Sequence, residues 1–153
     1  MNRDVLKRLL RKALLSRIMD NLDKLTLRAN LTHRAISDQM GAQVNWFNDA
    51  FNNNEDITVS SLARVLSVIS EKIKLKEEKL TTVFDKKSLE IASLYGRVLN
   101  EKEQYIKDLI RSEKSIFSDL VTEWDYLSGK NKLDENEKKV ARQVQDLIKG
   151  SDI

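Results

Sequence analysis

A chain of 153 residues with no cysteine, no proline, four glycines and one histidine excludes several kinds of chemistry at once. Disulfides and thiolate metal sites are impossible without cysteine, a conventional zinc centre needs more than one histidine, and no metal or cofactor is expected. The net charge of +3 is uneven, with eleven lysines and arginines against eight acids in residues 1–72 and sixteen against sixteen in residues 73–153.

The paucity of turn residues, with 33% charged side chains and recurrent apolar spacing, argues for an all-α protein. No apolar run approaches the ~20 residues that cross a bilayer. The charged opening leads into no uninterrupted apolar core of a signal segment. The expectation is a cytoplasmic protein with no membrane partner.

The first element predicted is one long helix over residues 3–28, with a stripe of Leu6, Leu10, Leu14, Ile18, Leu22 and Leu25. Beside the stripe lie Lys7, Arg8, Arg11 and Lys12. Residues 1–17 carry six cations against Asp4 alone. Such a face is either solvated surface or a source of phosphate contacts, which give affinity without sequence preference. A basic amphipathic helix can also lie on an anionic membrane, but a stripe that runs on into a folded domain already has a core to fill. The second half, from about Ser16, should open that domain, and the first half should be an extension of it.

Asn30 and Leu31 end this helix. The next stretch, residues 31–52, reads LTHRAISDQMGAQVNWFNDAFN. Thr32 is a good N-cap, Ile36 and Met40 fall four apart on one face, and Gly41 suits the left-handed end of a short helix. In the helix predicted next, Phe47, Ala50 and Phe51 have the spacing of a buried face. Asn45, Asp49 and Asn52 then point away from that face, while Trp46 and Asn48 flank it. An amide-rich outer face on a short helix suits the reading of base edges in the major groove.

With Gln39-Met40-Gly41 followed after nine residues by Phe51-Asn52, this stretch resembles the helix-turn-helix of the Cro and phage lambda repressor family. The segment ITVSSLARVL at residues 57–66 is similar to that family's next helix, so the resemblance covers about 45 residues, from Ala29 to roughly Ile73. The resemblance implies base reading by Val44, Asn45 and Asn48, and phosphate contact by Asn52 and by His33 at the start of the second helix. A DNA-binding reading adds Gln43 at base edges and the adjacent Arg34 on phosphate. On its own, His33 is more often an exposed polar residue than a phosphate ligand. Trp46 either covers its own domain, touches DNA, or anchors a protein partner.

From Ser70 the composition shifts to a mixed-charge helical run ending near Thr81-Thr82, which divides the chain into residues 1–75 and 76–153. Asp85 can cap a second long helix, roughly residues 86–127. Its stripe is Ile91, Leu94, Tyr95, Val98, Tyr105, Leu109, Ile116, Leu120, Trp124 and Leu127, interrupted by Lys102 and Glu113. A helix of about 63 Å with such a stripe must pack on another helix. A final helix begins at Asp134 or Asn136, with Val140, Val144, Leu147 and Ile148 on its apolar face. Asp134, Glu135 and Glu137 fit its positive dipole end. A hairpin of these two helices has too narrow a core to stand alone, so the stripe predicts a homodimer.

No glycine-rich phosphate loop or nucleophile-base pair is present, and no enzyme activity is expected. The leading expectation is a dimeric, sequence-specific transcription regulator of double-stranded DNA, like the small repressors of phages and mobile elements. The alternative is a protein-binding module on the same scaffold, presenting Val44, Trp46 and Asp49 to another regulatory protein. Residues 31–52 carry one arginine against two aspartates, which suits that alternative.

Overall fold

The computed structural model of the chain describes residues 1–28, 30–39, 63–69 and 83–150, and every regular element among them is helical. The described residues fall into two compact units. Unit 1 combines Met1–Leu14 with Leu89–Ile153, and unit 2 is Leu15–Ser88. The division therefore falls inside the first helix and shortly after residue 85, rather than at the expected boundary near residue 75.

Helix α1 spans Arg3–Arg28, the limits its apolar spacing predicts. It stops because Asn30 takes a left-handed backbone, φ 54°, which asparagine tolerates better than most side chains. The amide of Asn30 then bonds the Leu27 carbonyl, and that of Leu31 reaches back to Thr26 at 3.0 Å. This is the paired closure that satisfies the last carbonyls of a helix.

In unit 2, α2 runs His33–Gln39. The Thr32 hydroxyl accepts the Ala35 amide at 3.0 Å, the expected N-cap. A further helical segment covers residues 63–69. Leu22 and Leu25 of α1, Leu31, Ile36 of α2, and Val65, Val68 and Ile69 form one buried cluster with Leu15, Met19 and Val83. Each helix places one apolar stripe in that cluster, the usual route to helical stability.

Unit 1 departs from the expected architecture. In place of one helix over residues 86–127 there are three: α3 at Lys86–Asn100, α4 at Ile106–Ser112 and α5 at Lys114–Gly129. A 3-10 turn at Glu103–Tyr105 lies between the first two. The breaks fall where charge interrupts the stripe. Lys102 adopts an extended backbone, and Glu113 leaves helical geometry at φ −120°, ψ 43°. An uninterrupted helix would turn both charges into its own apolar face. Breaking there keeps Lys102 exposed and lets Glu113 pair with Arg97.

Helix α6, Glu135–Ile148, packs on α5 and α4. The turn before it repeats the ending of α1. Asn131 is left-handed at φ 58°, and the amides of Asn131 and Lys132 bond Ser128 and Leu127.

These breaks correct the argument for a homodimer through the stripe. Ile91, Leu94, Val98, Leu109, Leu120, Trp124 and Leu127 are buried in a core completed by Val5, Leu6, Leu9, Leu10 and Ala13 of α1, Phe117, and Val140, Val144 and Leu147 of α6. Tyr95 and Ile116 pack partly against the same core, and Tyr105 is 46% exposed. Because the segments fold on one another, the chain itself covers the stripe that an unbroken helix would have offered to a second copy.

Candidate nucleic-acid interface

The expected base-reading residues Gln43, Val44, Asn45 and Asn48 lie outside the described residues, as do Trp46, Asp49 and the expected phosphate contact Asn52. Their immediate neighbour α2 is described. Ile36 and Ser37 are fully buried, whereas Thr32, Arg34 and Asp38 are exposed. The same unit also exposes Lys24, Arg28 and Arg64. Arg34 is thus accessible, as phosphate contact would require.

His33 has another engagement. Its Nε2 pairs with the Asp23 carboxylate on α1, and the Asp23 carbonyl accepts the Thr26 hydroxyl at 2.7 Å. The one histidine therefore ties the first turn of α2 to α1. The resemblance implies a phosphate there; the fold supplies a carboxylate from within its own unit.

A second tie is stronger. Arg17 grips Asp85 in a bidentate pair through one guanidinium edge, with Nε 3.0 Å from Oδ1 and Nη2 2.8 Å from Oδ2. Asp85 also accepts the Ser88 amide at 2.8 Å, capping α3, and Asn21 donates to the Val83 carbonyl at 3.1 Å. The Arg17 guanidinium holds the Asp85 carboxyl far below the usual carboxylate range, with help from Ser88 and against a smaller opposing effect of burial. Arg17, one of the six cations of the first 17 residues, thus serves the fold.

The other five cations of the first 17 residues belong to unit 1. Lys7 pairs with Asp4 at 3.2 Å. Arg8 lies 3.6 Å from Asp134 and 3.9 Å from Glu137. Lys12 donates to Glu137 Oε1 at 2.7 Å and to the Lys132 carbonyl at 2.8 Å. Glu137 itself is only 1% exposed. Its Oε1 accepts the Asp134 amide while Asp134 accepts the Glu137 amide, a reciprocal capping box at the start of α6. Arg8 and Lys12, expected on phosphate, are therefore drawn toward this buried carboxylate.

Sequence reasoning took Glu137 only for a charge at the helix dipole. The Asp134-x-x-Glu137 spacing announces the capping box, but nothing local announces Lys12, which lies 125 residues away.

Among the described residues no three His, Asp or Glu side chains gather as a metal site, and no helix is long and apolar enough to cross a membrane. No protein-family model, curated protein or solved structure matches the chain.

Proposed function

We propose that this chain is a sequence-specific DNA-binding transcription regulator of the kind found in phages and mobile elements. The carrying observation is α2. It is capped by Thr32, anchored by Ile36 in a core shared with α1 and residues 63–69, and leads directly into the amide-rich run of Gln43, Asn45 and Asn48. Arg34, Lys24, Arg28 and Arg64 supply exposed cations on the same unit. In this reading Asn45 and Asn48 read base edges, since an amide can bond both N6 and N7 of adenine, and the cations hold phosphate. A second copy reading a two-fold operator would dock through residues other than the buried stripe of unit 1.

Selection of binding sites from random duplexes, repeated across salt concentrations, tests this reading. Asn48→Ala should cost about 1–3 kcal/mol on the selected site and little on random DNA. Duplex affinity that is weak, unselective and indifferent to Asn48→Ala would sink the proposal.

The second reading is a protein-binding module that presents Val44, Trp46 and Asp49. It is favoured by the commitment of Lys12 to Glu137. There Trp46→Ala should abolish partner capture and leave DNA binding unchanged, because buried tryptophans dominate protein interfaces.

A further inference from the structure

Within unit 1, Lys7, Arg8 and Arg11 of α1 share an open groove of about 250 Å³ with Tyr95 of α3 and with Asp4. These three cations stand on adjacent helical turns, at positions i, i+1 and i+4, and Asp4 is the one carboxylate lining the groove among the described residues. That carboxylate is 84% exposed and holds only Lys7. Tyr95 is half-buried, with its ring packed partly against the unit 1 core. Its hydroxyl has no hydrogen-bond partner among the described residues. A phenol held by its ring with an open hydroxyl is an oriented donor, and here its residue lines the same groove as the three cations.

We propose that this groove is a phosphate-binding site, with Lys7, Arg8 and Arg11 supplying charge and the Tyr95 hydroxyl supplying a directed hydrogen bond. Arginine forks match the oxygens of a phosphoryl group in paired geometry. At 3.6 and 3.9 Å from its carboxylate neighbours, Arg8 is beyond close hydrogen-bond range and retains donors for a ligand. The phosphate is either a nucleic-acid phosphodiester or a free phosphorylated molecule. Only the first source rests on the DNA-binding reading.

The test uses the full chain, with two probes: inorganic pyrophosphate followed by NMR of the Tyr95 ring, and a random-sequence duplex followed by fluorescence anisotropy over a salt series. Tyr95→Phe and Lys7→Gln should each weaken binding by about threefold to tenfold while the melting temperature holds, since each removes one donor to a charged ligand. Lys7→Gln should also flatten the salt dependence for the duplex. The exposed control Lys139→Gln should do neither.

Sensitivity to Tyr95 and Lys7 with either probe supports the groove. If it appears with pyrophosphate while the duplex is not bound, the site takes free phosphates and the DNA reading alone fails. A duplex bound equally well by parent, Tyr95→Phe and Lys7→Gln, with no sensitivity of pyrophosphate binding to either variant, overturns the groove and leaves the DNA reading intact. Binding of neither probe, or an equal loss from Lys139→Gln, overturns the groove as well.

Discussion

Replacing Lys12 with methionine keeps most of the apolar stem and removes the ammonium that meets Glu137 Oε1 at 2.7 Å. Glu137 is 1% exposed, so its carboxylate would be left in the core with the Asp134 amide as its close donor. Breaking a buried ion pair from one side costs about 3–5 kcal/mol. Lys12 itself retains 26% exposure, and Arg8, 3.9 Å from the second Glu137 oxygen, can move in. Both features reduce the loss, to about 2–3 kcal/mol.

Urea unfolding followed by circular dichroism measures it, with the slope compared between variants because two units need not unfold together. The double variant Lys12→Met with Glu137→Gln removes both charges and should recover at least about 1 kcal/mol relative to additivity, as expected for residues in direct contact. A Lys12→Met midpoint within error of the parent would refute the claim that this lysine neutralises the buried carboxylate.

Trp124 is fully buried and donates its indole N–H to the Leu9 carbonyl at 2.9 Å. Trp124→Ala should therefore cost about 3–5 kcal/mol in the same unfolding assay, and Trp124→Phe distinctly less. Asp85 titrates below its unfolded value, so its contribution is complete above the ordinary carboxylate range near pH 4 and is lost as pH falls through and below it. Asp85→Asn should remove that part of the acid sensitivity, read from melting temperatures between about pH 5 and pH 2. Asn131, at φ 58°, should accept glycine without loss, whereas Asn131→Ala should cost about 1 kcal/mol in thermal melts.

What was legible in the sequence was local. The limits of α1, the caps Thr32 and Asp85, and the turn after α5 follow from interactions within a few residues of each site. The segmentation of residues 86–127 was half legible. Lys102 and Glu113 marked both breaks, but apolar residues continue on either side, so a periodicity plot carries on across them. Whether the stripe is covered by its own chain or by a copy depends on contacts such as Leu9 with Trp124, 115 residues apart, which no window of sequence contains. The same distance hid the pairing of Lys12 with Glu137, and so the basic face of α1 stood open between solvated surface and phosphate contact, with no sign of an internal partner. The amide-bearing positions 43–52 lie outside the described residues.

The division of the chain bears on how it is made. Unit 1 is discontinuous, joining residues 1–14 to residues from 89 onward, while unit 2 is a contiguous insertion between them. A ribosome delivers Leu6, Leu9 and Leu10 first, yet Trp124 and Val144, members of the same core, emerge last. At about 5–20 residues per second, the 15–88 segment alone takes about 4–15 s to synthesise. When that interval ends the insertion has all of its own residues, while the leucines of the opening segment still have no core to enter. A stalled nascent chain of which residues 1–88 but not Trp124 have left the ribosome should consequently carry a completed insertion beside bare leucines, the state in which chaperones would engage it.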